Sequence, residues 1–343
     1  MGVDKDHGVT APRRLVEDGV RHYGRFPGRV GETNSVDAHR GLSRLWREFR
    51  LKEWIGFALI HPEMSGAMIM QDVKYLASSE LFVRDRETGV LVEKSTRFRG
   101  ATLDLPDDLL HGGRCRVATR RYRLCYDFDI DSGTITVRID CAADRHGPAI
   151  SGALTLYVEG AAPPLSLSAR LTPAIDYYTF KQPFPVDGGL TVGDRTYVFE
   201  RGRDFAILDE HRSQFPYSTS WTWGTFAVAM AGGVVGSNFV DRQELSDDDD
   251  ESANWVPGAV EPLAGVQFDF ASDDRVHIGD RDGRLDVTFT PEGRKAVKAN
   301  LVVAAVDYWQ LAGTYRGTVT SSAGESYSFD DVPGVLERMK TRF

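Results

Sequence analysis

A chain of 343 residues is long enough for two ordinary domains or one large all-β unit, so it can bury a sizeable core. Its formal net charge of −9 argues against a general nucleic-acid binder, because phosphate recognition needs a concentrated positive surface. No apolar run approaches the roughly 18 residues that a membrane-spanning helix needs, and the first residues lack the apolar core of a secretory signal. We therefore expect a soluble cytoplasmic protein with no integral membrane segment, in an oligomeric state that the sequence leaves open.

The first 50 residues predict a strap that lies against the main body. They contain 10 Lys and Arg against 7 Asp and Glu, a mild positive bias that arginines on a solvated surface would explain. Only Leu42 to Phe49 has helical spacing, with Leu42, Leu45, Trp46 and Phe49 on one side. We expect this segment to be a strap or a short helix packed on the body.

From Lys52 onward the pattern is one of short alternating apolar runs, typical of strands. The clearest pair is Arg121 to Ile130 and Thr134 to Asp140, which the turn Asp131-Ser132-Gly133 closes into a hairpin. One side of each run is apolar and the other largely polar, as in antiparallel sheets with one wet face. Strands at this spacing without intervening helices indicate a sandwich or barrel.

Two later segments break this rhythm. Prolines at 173, 183 and 185 suggest a linker between Thr172 and Pro185, after which the strands resume. The closing segment, Pro333 to Phe343, is the other candidate helix. We therefore predict a strap over residues 1–50, one β domain over 51–172, and a second over 173–343 that ends in a helix.

The stretch from Phe205 to Asp241 places groups capable of chemistry inside an apolar, strand-like pattern. Ile207 and Asp209 share one face of a strand, where a charge is costly. In the next strand Trp221 and Trp223 lie on one face, and the apolar residues change sides near Gly224. Such a change suggests a bulge, a bend or a strand buried on both sides. Ala231-Gly232-Gly233 then predicts a hairpin turn.

Several common kinds of site have no motif support. The chain contains no G-x-S-x-G, H-E-x-x-H, P-loop, G-x-G-x-x-G or paired C-x-x-C motif, so we expect neither a cofactor nor a metal. Cys115, Cys125 and Cys141 are odd in number and lack metal-type spacing, which indicates reduced thiols. The acidic run Asp247 to Glu251 lacks the alternation and glycine turn of a calcium loop, so we expect it to be a solvated loop.

Much of the chain beyond residue 50 resembles a large bacterial family of uncharacterised proteins. The matching blocks run over residues 51–77, 150–156, 188–224, 284–291 and 313–319 and the closing GVLERMKTRF. ILDEH at 207–211 and WTW at 221–223 also resemble, more distantly, the lipocalin-like carotenoid hydratase (hydroxyneurosporene synthase) family. This chain has Ile207 where an aromatic residue is usual and Glu210-His211 in place of His-Glu. The resemblance implies an all-β fold of two lipocalin-like barrel halves and an Asp that protonates an alkene without a cofactor.

Asp209 is the predicted catalytic acid under this resemblance. A carboxyl among apolar groups resists ionisation, so it can stay protonated near neutral pH and protonate an alkene, enol or epoxide. His211 could tune it or act as a base, and the faces of Trp221 and Trp223, together with Tyr217 as the third catalytic candidate, could stabilise a cation. A capping role or an ion pair for Asp209 and a core role for the tryptophans stay open.

Further candidates would bind the substrate. Tyr217 and Asn238 could orient its polar end, while Trp54, Asp72 and Tyr75, in or near the first strands after residue 50, could line the same cavity. Each of these residues has a structural role as its alternative.

Two hypotheses follow for function. One is a cofactor-independent enzyme that protonates a hydrophobic, isoprenoid or polyketide-like substrate, giving hydration, cyclisation or isomerisation. The other is a carrier that holds such a molecule unchanged in the same cavity. In both, the partner is a hydrophobic small molecule and not a nucleic acid. A third possibility is a scaffold with a filled core and no cavity.

Overall fold

A computed structural model describes residues 10–145, 147–242, 250–272, 275–301 and 304–342 of the chain. Within these ranges nearly all regular structure is antiparallel β, arranged in two large sheets with one small hairpin and one helix. This confirms the predicted all-β class with two antiparallel halves. The helix is too short to cross a bilayer, and no other is found in these ranges.

The N-terminal part of the chain forms a small hairpin, one strand of the first sheet and the helix. These elements are β1 (Val16–Glu17), β2 (Val20–Arg21), β3 (Gly24–Phe26) and α1 (Gly41–Arg50).

The first sheet contains β3 and every strand from residue 51 to residue 214. Its other strands are β4 (Leu51–His61), β5 (Met64–Asp72), β6 (Leu76–Asp85), β7 (Leu91–Arg99), β8 (Arg114–Ala118), β9 (Tyr122–Asp129), β10 (Thr134–Cys141), β11 (Ile150–Tyr157), β12 (Leu165–Thr172), β13 (Ile175–Val192), β14 (Arg195–Phe199) and β15 (Phe205–Gln214). The main path runs β7-β6-β5-β4-β15-β13-β11-β10-β9-β8, while β12 and β14 pair with β13. Val92 of β7 and Tyr126 of β9 share one hydrophobic cluster, so the sheet curls around its own core.

The second sheet contains the rest of the chain. Its strands are β16 (Ser218–Met230), β17 (Gly233–Arg242), β18 (Ala253–Val256), β19 (Ala259–Pro262), β20 (Gln267–Ser272), β21 (Arg275–Gly279), β22 (Leu285–Leu301), β23 (Ala304–Thr320) and β24 (Ser326–Arg342). They run in the order β19-β18-β17-β16-β24-β23-β22-β21-β20. Phe226, Phe289 and Tyr315 lie in the cluster that this sheet surrounds.

A third hydrophobic cluster lies between the two sheets. It combines Ile207 of β15 with Trp221 and Trp223 of β16 and Val335 of β24. Side chains alternate across a strand, so each strand at this contact sends one set of residues inward and the other toward the opposite sheet. Apolar side chains from both sheets therefore pack against one another over part of this contact.

Strand β16 shows why the apolar pattern changes sides near Gly224. Its pairing with β17 and with β24 contains no register shift, so the strand has no bulge there. Trp221 and Trp223 belong to the cluster between the sheets, whereas Phe226 belongs to the core of the second sheet. Of the three explanations, burial on both sides is the one observed. The hairpins at residues 131–133 and 231–233 are both confirmed.

Two segments differ from their predicted structure. Pro333 to Phe343 is not a helix, since residues up to Arg342 form the end of β24 and pair with β16 on one side and β23 on the other. The linker predicted between Thr172 and Pro185 is also wrong, because residues 175–192 form the single strand β13. The chain passes from the first sheet to the second at Phe215-Pro216-Tyr217. The proposed domain boundary at residue 172 falls between two strands of the first sheet.

Helix α1 forms where predicted, but it does not pack its apolar side on the body. None of its residues is buried, and Leu42 and Trp46 are 85% and 61% exposed. Its contacts with the body are polar: Arg47 donates to the side chain of Gln214, and Arg50 donates to the carbonyl of Phe215.

Candidate functional site

The candidate site lies between the two sheets, where β15 faces the second sheet. Ile207 belongs to the inter-sheet cluster, while Ala206 and Leu208 belong to the core of the first sheet. By alternation Asp209 and His211 lie on the inter-sheet side. The hollow of the first sheet is filled by its hydrophobic core.

Asp209 is paired with a lysine. Lys181 of β13 lies opposite it in the strand register, and its Nζ is 2.7 Å from Asp209 Oδ1. The Lys181 side chain is 2% exposed and that of Asp209 is 25% exposed. The same Nζ lies 4.9 Å from the centre of a Trp223 ring. The prediction of a carboxyl surrounded by apolar groups therefore needs correcting, since the nearest charged partner is an ammonium.

Glu251 connects this pair to the second sheet. Its carboxylate lies 2.6 Å from Arg242 Nη2, 3.2 Å from His211 Nε2 and 3.5 Å from Lys181 Nζ, and it is fully buried. Burial alone would raise the pKa of Glu251, but the charges of Lys181 and Arg242 hold this pKa well below its ordinary value. Glu251 is therefore an ionised member of the site.

The acidic run was predicted to be a solvated loop. Residues 247–249 of this run lie outside the described residues. Asp250 and Glu251 are both buried, so the prediction is wrong for this end of the run. Burial raises the pKa of Asp250 to about 6, whereas the pKa of its neighbour Glu251 is lowered.

His211 lies inside the protein and not in a surface turn. Its Nε2 is 3.0 Å from Thr179 Oγ1, and its Nδ1 is 3.1 Å from Ser213 Oγ. The ring stacks on Trp54 with 4.4 Å between centroids. Burial lowers the pKa of His211, with the carboxylate of Glu251 opposing this change. The imidazole can therefore serve as a neutral hydrogen-bond partner or as a proton acceptor.

A second carboxyl faces the same interface from β24. Glu337 accepts hydrogen bonds from Trp221 Nε1 at 3.1 Å and from the Tyr308 hydroxyl at 3.0 Å. Burial raises the pKa of Glu337 to about 7; these hydrogen bonds oppose that change, and the negative charge of Asp209 adds to it. Of the carboxyls at this site, Glu337 is the one that carries a proton over much of the neutral range.

Gln310 of β23 supports a protonated Glu337. Its Nε2 lies 3.5 Å from Glu337 Oε2, and its own Oε1 is buried without a hydrogen-bond partner. Rotation of the amide by half a turn would let this oxygen accept the carboxyl proton of Glu337. Gln310 also lines a cavity of about 160 Å³ between the sheets, bordered by Phe82 and Lys295.

The charges of the site balance when Glu337 is neutral. Lys181 and Arg242 are then matched by Asp209 and Glu251, with His211 uncharged. Ionisation of Glu337 would add an uncompensated negative charge to a region of low dielectric, which is costly.

Hydrogen bonds to polar side chains of the site hold Trp221 and Trp223 in place. Trp223 Nε1 donates to Asn238 Oδ1 at 2.8 Å, and Asn238 Nδ2 donates to the carbonyl of Glu251 at 2.8 Å. Asn238 is fully buried, so it positions Trp223 and the Glu251 backbone. Phe215 stacks between Trp221 and Trp54, at 5.7 Å and 5.9 Å. These rings form an aromatic wall beside the carboxyls.

The remaining predicted residues are Asp72, Tyr75 and Tyr217. Asp72 is buried, and it accepts hydrogen bonds from the backbone of Lys74 and of residues 101–103, so it holds a loop. Tyr75 and Tyr217 are exposed on the outside of the protein, at 44% and 53%.

Sequence reasoning missed Lys181, Glu251 and Glu337. Each lay in a segment assigned to a linker, a solvated loop or a helix. The one signal that could have found Lys181 was the pairing of its strand with the strand of Asp209, which places the two side chains opposite each other. Within the described ranges no cluster of three or more His, Cys, Asp or Glu residues could hold a metal.

Comparisons with known proteins bear on the fold. A family model described as "Domain of unknown function (DUF2804)" matches residues 27–343. No curated protein sequence matches the chain. Kievitone hydratase from Nectria haematococca is similar in structure with a TM-score of 0.47 and 9% identity, covering 94% of this chain and 98% of that one. CdiB from Acinetobacter baumannii gives a TM-score of 0.19 and 8% identity, covering 85% of this chain and 60% of that one. At these scores the chemistry has to be argued from the site itself.

Proposed function

The chain belongs to the family described as "Domain of unknown function (DUF2804)", and we propose that it is a cofactor-independent acid–base enzyme acting on a hydrophobic small molecule. One observation carries the proposal. Asp209 and Glu337 share one interface, but the first faces an ammonium whereas burial raises the pKa of the second to about 7. Two carboxyls in such different environments are the arrangement that acid–base catalysis uses.

Glu337 is the proton donor in this proposal. Trp221, Tyr308 and Gln310 fix its orientation, and a pKa near the working pH suits both giving and recovering a proton. Asp209 was the acid predicted from the sequence. Its 2.7 Å pairing with Lys181 and its partial exposure favour a different role, as the carboxylate that accepts a proton.

The reaction is proton transfer to and from carbon. Glu337 gives its proton to one carbon of an electron-rich double bond, and the neighbouring carbon becomes cationic. The carboxylate of Asp209 stabilises this cation by its charge, because Lys181 Nζ already lies 4.9 Å from the centre of a Trp223 ring and the Arg242 guanidinium lies 5.3 Å from that of a Trp221 ring. In hydration, a water oxygen bonds to the cationic carbon and a proton of that water passes to Asp209. In isomerisation or cyclisation, Asp209 takes a proton from the carbon skeleton. Asp209 then releases its proton to solvent, and solvent returns a proton to Glu337.

Deuterium uptake tests the proposal without requiring that the type of product be known beforehand. The purified protein is incubated in D₂O with a panel of isoprenoid and polyketide-like alkenes, and products are separated by chromatography and weighed by mass spectrometry. Protonation at carbon adds one deuterium whether the outcome is hydration, cyclisation or isomerisation. We expect Glu337→Gln and Asp209→Asn to lose at least about 100-fold in rate, the lower end of the usual contribution of a positioned acid or base.

Glu93→Gln is the matched control, since it removes an exposed carboxylate of β7 outside the cluster. It should keep the wild-type rate. Full turnover by Glu337→Gln with a substrate of the wild type would show that the proton comes from another group. Recovery of every compound unlabelled and unchanged, with one of them bound, would favour the carrier hypothesis.

A further inference from the structure

Helix α1 turns its apolar side to the solvent. Leu42, Leu45, Trp46 and Phe49, which we call the apolar helix face, are 85%, 62%, 61% and 49% exposed. In a surface helix of a globular protein the apolar side normally packs on the core. Here the side that meets the body is polar, through Arg47 and Arg50. The orientation is thus the reverse of the usual one.

The exposed apolar residues of the protein are concentrated at this place. Twelve large apolar side chains of the described residues are exposed, and four of them form the apolar helix face. Tyr75 and Leu76 of the turn between β5 and β6 add two more. Lys52 joins the turn to the helix, since its Nζ lies 6.0 Å from the Phe49 ring centre and 5.1 Å from that of Tyr75. An exposed apolar patch of this extent marks a surface that another body covers.

The charge around the patch is positive although the whole chain is acidic. Within residues 37–52 five Lys and Arg are opposed by Asp37 and Glu48, a local net of +3 against −9 for the chain, and Asp37 pairs with Arg44 at 2.7 Å. A helix with a basic polar side and Leu, Trp and Phe on the other is suited to lie in the interface of an anionic bilayer. A second copy of this chain would complement the positive patch only if a cluster of that copy's acidic residues lay against it.

We propose that the apolar helix face docks the protein on anionic lipid membranes. The helix lies parallel to the bilayer, with Leu42, Leu45, Trp46 and Phe49 among the acyl chains and Arg40 and Arg44 at the phosphates. The turn at Tyr75 and Leu76 reaches the same interface. The helix leads directly into β4, whose Trp54 belongs to the aromatic wall, so the docked side of the protein is the side nearest that wall. Docking does not depend on the proposed chemistry.

Co-sedimentation of the full chain with vesicles tests this proposal. We expect binding to vesicles of phosphatidylcholine with phosphatidylglycerol, and much weaker binding to phosphatidylcholine alone or in high salt. Trp46→Ser and Leu45→Ser should each weaken binding about tenfold or more, the effect of losing one buried large apolar side chain. The double variant Arg40→Glu with Arg44→Glu should also weaken it about tenfold or more.

Matched controls use the same chemistry elsewhere on the surface. Val198→Ser removes an apolar side chain that is 58% exposed on β14, and Arg116→Glu reverses an exposed charge on β8. Both should bind vesicles like the wild type. The Arg44–Asp37 pair that the double variant breaks is partly exposed, so its loss should cost little stability, and each of the other variants should keep the wild-type melting temperature.

Fluorescence gives a second and more local measurement. Brominated lipids should quench Trp46, and Trp46→Phe should remove that quenching while vesicle binding persists. Equal binding of all variants, or no binding of the wild type to anionic vesicles, would overturn the proposal. A third result would also overturn it: neither the wild type nor Trp46→Ser binds vesicles, and light scattering shows the wild type to be a dimer and Trp46→Ser a monomer. The apolar helix face would then join two copies of the chain.

Discussion

Glu337→Gln should change how the stability of the protein depends on pH. In the folded state burial raises the pKa of Glu337 to about 7 from an ordinary value of 4.5. Between these two pH values the folded state binds the proton and the unfolded state does not. Stability therefore falls as the pH rises from 4.5 toward 7, and the loss is complete above 7.

The size of this effect follows from the same two values. At 1.36 kcal/mol for each pKa unit, the difference between 4.5 and about 7 corresponds to about 3 kcal/mol of destabilisation above pH 7. A glutamine cannot ionise, so the variant lacks this loss. Its amide can accept from Trp221 and donate to the Tyr308 hydroxyl, which keeps both hydrogen-bonded positions filled.

Urea unfolding followed by circular dichroism measures the effect. The difference in unfolding free energy between Glu337→Gln and the wild type should shift by about 3 kcal/mol in favour of the variant between about pH 4 and about pH 8. Glu93→Gln, an exposed carboxylate on β7, should keep the pH dependence of the wild type. If the difference between Glu337→Gln and the wild type is the same at both pH values, Glu337 is ionised in the folded protein and the acid proposed for catalysis is lost with it.

Two further predictions concern packing and the buried charges. Glu251→Gln should destabilise the protein by about 3 to 5 kcal/mol at pH 7, because Arg242 and Lys181 would lose a buried anion. Urea unfolding should show that this loss of stability shrinks as the pH falls through the lowered pKa of Glu251. Glu159→Gln, which breaks an exposed pair with Arg201, should cost at most about 1 kcal/mol, and an equal loss for both variants would mean that the buried network stabilises nothing. Gly224→Ala should cost about 1 to 3 kcal/mol by urea unfolding, because its methyl group would lie 2.5 Å from Phe239 Cε2 and 2.7 Å from the Tyr315 hydroxyl. Gly189→Ala, whose methyl group would meet nothing closer than 3.8 Å, is its control, and equal stability of the two variants would refute the packing at Gly224.

The sequence predicted those parts of the fold and the site that local patterns determine. The hairpins at residues 131–133 and 231–233 depend on turn residues beside alternating strands, and both were found. The stretch around Asp209 and Trp223 was identified because a charge and two tryptophans stand in an apolar strand. The pattern that identifies these residues lies within a few consecutive positions of the sequence.

The end of the chain could not be predicted in this way. Val335, Leu336 and Met339 have helical spacing, yet Leu336 belongs to the core of the second sheet and Val335 to the cluster between the sheets. A strand that is buried on both sides loses the simple alternation that identifies strands. The pairing with β16 and β23 supplies backbone hydrogen bonds on both edges, and this tertiary context overrides the local pattern.

The partners of Asp209 could not be predicted for a related reason. Lys181 meets it through the register of two strands, and Glu251 and Glu337 come from the opposite sheet. Such contacts depend on how the sheets pack, and no local spacing encodes them. The prolines at 183 and 185 suggested a linker, whereas both lie in β13 opposite Ile207 and Phe205.

The charged group between the sheets draws on both parts of the chain. Lys181, Asp209 and His211 come before the crossing at Pro216, while Arg242, Glu251 and Glu337 come after it. A gene cut at that crossing would yield two fragments, each presenting bare ions and tryptophans to water. The fragments should be poorly soluble alone and should reassemble when co-expressed. Recombination between related genes should therefore exchange both sheets together and not one sheet alone.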